Sequence, residues 1–134
     1  MKRLFFPLVL LNLSIFLGGC SRQPNIESVK DATKISAEAL FSEYKADRFK
    51  AAEKYQGKIL EVTGIVDKTG TDVGEHPFVN LKGQEQLGGV QCFFLKLYEE
   101  KATQLKAGQK VTIRGKCTAY IMNVLVEGSM IVQS

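Results

Sequence analysis

The stretch KLYEEKATQLKAGQKVTIRGKC, residues 96–117, decides the fold. Its first half reads as a short helix over Lys96–Leu105. Leu97, Ala102 and Leu105 face one way, and Gly108 stands just past the end, where helices most readily stop. From Lys110 to Cys117 the period drops to two, with Val111, Ile113, Gly115 and Cys117 on one side of a strand. Upstream, Val90 to Leu95, Phe78 to Leu81 and Lys58 to Asp67 read as three more strands. They are separated by the turn-rich segment KTGTDVGEHP (68–77) and by a glycine-rich turn over Lys82–Gly89. Leu60, Val62, Gly64 and Val66 share one face of the first strand, and Gly64 is expected to mark a bend. Downstream, Thr118 to Met122 reads as a loop and Asn123 to Val132 as a last strand. Three strands, a helix and two strands form the layout of a five-stranded OB-fold Greek-key barrel. The fold class is therefore mainly β with α.

Before the barrel, Ser36 to Tyr55 reads as one N-terminal helix. Ser36 caps it, Glu38 sits in the first turn where the helix dipole favours a carboxylate, and Gly57 follows its end. Leu40, Phe41, Tyr44, Phe49 and Ala52 approximate one apolar face.

The extreme N-terminus has a different grammar. Lys2 and Arg3 precede an apolar run from Leu4 to Leu17, which ends in Leu17-Gly18-Gly19-Cys20. Charged head, apolar core and small residues form the pattern of a secretory signal, and the run is shorter than the roughly 20 residues of a spanning helix. The Leu-x-x-Cys box resembles the bacterial lipoprotein signal. That resemblance implies cleavage before Cys20, a diacylglycerol on its thiol and an acylated amino group (palmitate-type chains). Several acyl chains anchor stably, where one is marginal. Ser21 in the next position is compatible, in enteric-type bacteria, with transfer to the outer membrane facing the periplasm. The expected organisation is a signal peptide over 1–19, a lipidated Cys20 with a flexible polar tether over 20–35, and a helix plus barrel over 36–134.

Removing the first 19 of the 134 residues leaves 115, enough for one domain. Lys2 and Arg3 leave with the signal, so 16 basic side chains remain against 14 acidic ones, a balance of +2. That is a weak electrostatic case for nucleic acid, whose binders usually carry a clear basic patch. Cys92 and Cys117 remain in an oxidising compartment. By strand parity both sulfurs point inward. A disulfide closing their loop is worth about 3 kcal/mol on the chain-entropy model; the other reading is two buried free thiols acting as small hydrophobes.

The domain from about Ala37 to Val132 resembles the tRNA-anticodon-like OB-fold family, common as short envelope lipoproteins. The resemblance is carried by Tyr55-Gln56-Gly57-Lys58 leading into Val62-Thr63-Gly64, by Val90-Gln91-Cys92-Phe93-Phe94, and by the run from Leu105 to Cys117. It implies a fold relationship to anticodon-binding domains and supplies no catalytic residue or cofactor. In that family the loop before the last strand tends to carry an acidic residue and the end of that strand a cysteine; Asn123 and Ser129 occupy those places here.

The outer face of strands two and three is the usual ligand surface of such barrels. Parity aims Phe78, Asn80, Gln91 and Phe93 outward, and Tyr120 falls in the expected loop between strands four and five. Stacking aromatics with Lys82 or Arg114 nearby suit a base or a sugar ring. The alternative is that the N-terminal helix covers Phe78 or Phe93. His76, with Asp72 and Glu75, is too sparse for a metal site. No phosphate loop or nucleophile elbow is present, so no enzyme is expected. The expected function is a membrane-anchored envelope lipoprotein with an OB-type binding or interaction domain, engaging an envelope protein or glycan. Single-stranded nucleic acid is the alternative ligand, and a purely structural subunit the alternative role.

Overall fold

The computed structural model describes residues 25–84 and 88–134. The expected signal, Cys20 and residues 21–24 lie outside them. The elements in chain order are β1 (Thr33–Ser36), α1 (Ala37–Ala46), α2 (Arg48–Tyr55), β2 (Ile59–Thr71), β3 (Pro77–Lys82), β4 (Gly89–Phe94), a 3-10 turn (Lys96–Tyr98), α3 (Glu99–Thr103), β5 (Lys110–Ile121) and β6 (Asn123–Gln133). The strand order is β1-β2-β3-β4-β6-β5, and β5 pairs back onto β2. That last pairing closes β2–β6 into a five-stranded barrel of OB type, and the architecture is mainly β with three helices. β4 and β6 run parallel, and the other pairs of the barrel antiparallel.

Alternation fills the interior. Val62, Val66, Val79, Leu81, Val90, Cys92, Ile113, Cys117, Val124 and Val126 are all buried. Burying each Val or Leu side chain stabilises the fold by about 1.5–3 kcal/mol. Leu40, Phe41 and Tyr44 of α1, and Ala102 and Leu105 at α3, complete the core.

Ser36 caps α1 as its sequence position suggests, its Oγ accepting from the Ala39 N–H at 3.1 Å. The single helix expected over Ser36–Tyr55 is two. Asp47 takes an extended backbone (φ −153, ψ 96) and its carboxylate accepts from the N–H groups of Phe49 and Lys50. It thereby ends α1 and caps α2. The turn sends Phe49 into solvent, 77% exposed, instead of onto the apolar face, while Ala51 and Tyr55 go to the core.

Gly64 does not bend β2: it pairs in register with Val111, and the register shift lies between Val66 and Lys68. Gly64 instead gives clearance, since a Cβ there would meet the Cβ of Ala37 at 2.8 Å. The N-terminal arm also differs from the expected tether. β1 adds to β2 in parallel, Thr33 opposite Leu60 through Ser36 opposite Thr63. Ahead of it Ile26 is buried. Arg114 Nη1 donates to the carbonyls of Ile26 and Glu27, both at 3.3 Å.

Candidate functional site

The outer face of β3 and β4 is built by register. Phe78 stands opposite Phe93, and Asn80 opposite Gln91. On the β2 side Phe78 faces Gly70 and Asn80 faces Lys68; beyond β4, Gln91 faces Leu125 of β6. Their neighbours Val79, Leu81, Val90 and Cys92 point inward and are buried, so the strand pleat forces these four side chains outward.

Phe78 and Phe93 form an edge-to-face pair, with ring centroids 6.0 Å apart and planes at 62°. The arrangement suits the ring quadrupoles. Gly70 makes it possible, because a Cβ there would lie 2.8 Å from the Phe78 ring. α1 sets Phe41 against Gly83 and Gly88, at the other end of β3 and β4 from the pair, and Phe78 and Phe93 are half-buried. Further along the face a cleft of about 590 Å³ opens, lined among others by Asp67, Lys68, Asn80, Lys82, Met122 and Asn123. Asn80 Oδ1 is buried there and has no hydrogen-bond partner among the described residues. An orphaned buried acceptor is costly. The surface thus joins two aromatic rings, two amides and two lysines.

Asn123 shapes the rim. Its Oδ1 accepts from the Gly89 N–H at 2.9 Å, fastening the start of β6 to the start of β4. Ser129 is fully buried, its Oγ donating to the Val126 carbonyl. Both residues therefore have structural duties.

Two placements read from the sequence change, Tyr120 and Arg114. Tyr120 is not in a loop, because β5 runs on to Ile121 and only Met122, with φ 61, makes the turn. Tyr120 packs on Tyr44 at 5.3 Å and on Phe41 at 6.4 Å between centroids, away from the Phe78–Phe93 pair. The loop position belongs to Ile121 and Met122, 69% and 82% exposed. Arg114 is not free to serve the face, since its guanidinium is bound to Glu61 and to the N-terminal arm. Cys92 and Cys117 are buried and unbonded. Each registers against Val126, one from β4 and one from β5. They are thus two strand spacings apart, about 9–10 Å, whereas a disulfide needs Cα atoms within about 7 Å. Burial pushes both thiols above their ordinary range.

Lys68 and Met122 escaped the sequence reading. Parity cannot place Lys68 opposite Asn80, because the register shift before it alters the count. An exposed methionine at a one-residue turn has no local signature. His76 lies in the exposed β2–β3 loop, where Asp72 Oδ1 accepts from the Gly74 and His76 N–H groups at 2.8 and 2.9 Å. Those backbone bonds hold the Asp72 carboxyl below its usual range. No cluster of three or more His, Cys, Asp or Glu side chains suited to a metal occurs among the described residues.

A family model described as tRNA_anti-like matches residues 1–130. Among solved structures, a candidate nucleic acid-binding lipoprotein from Klebsiella pneumoniae superposes with a TM-score of 0.64 at 16% identity, over 83% of this chain and 100% of that one. An asparaginyl-tRNA synthetase from Pyrococcus horikoshii gives 0.45 at 24% identity, over 60% of this chain and 21% of that one. No curated protein sequence matches.

Proposed function

Since the chain belongs to the tRNA_anti-like family, we propose that it is an envelope lipoprotein, acylated at Cys20, whose barrel binds a ligand on the outer face of β3 and β4. The observation that carries the reading is the joining of Phe78 and Phe93 to the cleft around Asn80, whose buried Oδ1 lacks a partner. Rings stack planar ligand units, the amides of Asn80 and Gln91 read polar edges, and Lys68 and Lys82 attract anionic groups. The signal pattern over 1–19 and the Leu-x-x-Cys box support export and lipidation.

Single-stranded nucleic acid is a second reading. It is favoured by lysines placed beside an aromatic pair, the combination that binds single strands. The Klebsiella lipoprotein that shares the fold is named for nucleic acid.

An NMR titration of the chain from Ser21 onward tests both. Saturable shifts at Phe78, Asn80, Gln91, Phe93 and Met122 with a cell-wall glycan fragment support the first. The same shifts with a single-stranded oligonucleotide, weakening steeply with salt, favour the second. Shifts confined to residues away from this face would overturn the site.

A further inference from the structure

A lipid on Cys20 leaves only residues 21–24 between the anchor and Asn25, the first residue of the described arm. Fully extended, the five steps from Cys20 to Asn25 reach about 17 Å. The domain is therefore held close to the bilayer, by the side where the arm attaches. That side is defined by contacts. Tyr98 Oη donates to Glu27 Oε1 at 2.5 Å, so the 3-10 turn Lys96–Tyr98 lies beside the exit of the chain. On this turn Leu97 is 79% exposed, and Leu95 just before it 42%. Leu95 lies beside Gly128 of β6, whereas Leu97 stands largely clear of the rest of the described chain. The cleft opens at the opposite end of β4, by Gly89.

We infer that Leu95–Tyr98 is a membrane-docking element, with Leu97 entering the acyl boundary of a phospholipid bilayer. The inference rests on the lipidation of Cys20 proposed above. The occupant is a lipid surface and not a protein because the tether is too short to hold this end far from the bilayer. Lys96 and Lys101 are balanced in the same turn and helix by Glu99 and Glu100. Apolar insertion, and not net positive charge, is the attraction. In this pose the cleft faces away from the membrane, toward soluble ligands or partners.

The chain contains no tryptophan, so one introduced indole reports its own depth. Leu97→Trp, and the control Ile121→Trp at the cleft end, are made in the full acylated chain and reconstituted into phosphatidylcholine vesicles with brominated acyl tails. Both positions are exposed, so neither change disturbs the core. Leu97→Trp is expected to lose about half or more of its emission relative to unbrominated vesicles, as for a side chain at the headgroup–acyl boundary. Ile121→Trp is expected to lose little, and raising salt to about 0.5 M leaves both unchanged because no charge attraction is involved. Equal quenching of the two variants, or none at Leu97→Trp in a chain that floats with the vesicles, would overturn the docking while leaving the anchor intact. A wild-type chain that fails to float, with no acyl mass on Cys20, removes the anchor and the docking together.

Discussion

The hydroxyl of Tyr44 lies 3.3 Å from the sulfur of Cys117 in the buried interior. The contact ties α1 to β5, the strand whose pairing with β2 closes the barrel. Tyr44 also stacks on Tyr120 and Tyr55. Tyr44→Phe keeps the rings and deletes the hydroxyl, so a loss of about 1 kcal/mol is expected, the scale of one hydrogen bond. Tyr44→Ala also opens a cavity and is expected to cost about 3–5 kcal/mol. Urea unfolding of the two variants separates the terms; a Tyr44→Phe variant as stable as the wild type would mean that the hydroxyl–sulfur contact contributes nothing.

The thiols give a pH dependence with a definite sign. Burial raises the ionisation of Cys92, Cys117 and Tyr44 above their ordinary ranges. Each group keeps its proton in the folded state at a pH where the unfolded chain releases it. Their contribution to stability is complete below the unfolded thiol value of about 8.5 and declines as pH rises above it, by up to ~1.4 kcal/mol per unit for each thiol. Stability measured by urea between pH 7 and pH 10 should fall on the alkaline side. A flat profile would argue that the thiols are accessible in the native state.

The separation of Cys92 and Cys117 by two strands predicts that oxidation does not link them. The chain from Ser21 should show two free thiols by mass after denaturing alkylation, even when purified without reductant. Both should resist a thiol reagent until the protein unfolds. An intramolecular disulfide under mild oxidant would contradict the register of β4, β6 and β5.

Arg114 pins the N-terminal arm through Glu61 and the carbonyls of Ile26 and Glu27. The pair is well covered, with side chains 17% and 12% exposed. Arg114→Ala leaves Glu61 without its partner and is expected to cost about 3 kcal/mol. Amide exchange should accelerate in the arm near Ser28, sooner than in the core strands. Unchanged exchange there would show that the arm holds by Ile26 and β1 alone.

Phe93 and Tyr120 should separate binding from stability. Phe93→Ala removes a ring from the outer face and is expected to weaken a stacked ligand by ~10- to 100-fold, the scale of one stacked base. Tyr120→Ala removes a ring that packs on α1 and is expected to lower the unfolding midpoint while leaving ligand affinity alone. Calorimetric titration beside thermal melts distinguishes the two; a binding loss in Tyr120→Ala without a change in melting would return Tyr120 to the ligand surface.

Much of the barrel was legible because its signal is local. The alternation of Val90, Cys92 and Phe94 against Gln91 and Phe93, and of Val111 and Ile113 against Thr112, identifies strands and faces without knowing their partners. The cap at Ser36 is a short-range hydrogen bond and could be read too. Asp47 was harder: helical periodicity runs through it, and only its extended backbone shows that its carboxylate serves a second helix. Where a loop was expected at Thr118–Met122, Thr118–Ile121 are strand and only Met122 turns, because β6 offers partners as far as Asn123. Polar residues extend a strand when a neighbouring edge satisfies their backbone groups, which no local pattern reveals.

The amino-acid order alone determined the period-two strands, the intervening helix, the outward set Phe78, Asn80, Gln91 and Phe93, and the signal-like start ending at Cys20. Each depends on spacing along one chain, the scale on which side-chain direction is set. Tertiary structure alone decided that Lys68 joins Asn80, that Tyr120 and Arg114 serve packing, and that Cys92 and Cys117 are kept apart by β6. It also decided that the arm at Ile26–Glu27 docks beside Tyr98. Those outcomes depend on register shifts and on which strands become neighbours when the barrel closes, and closure balances the burial of the whole core at once.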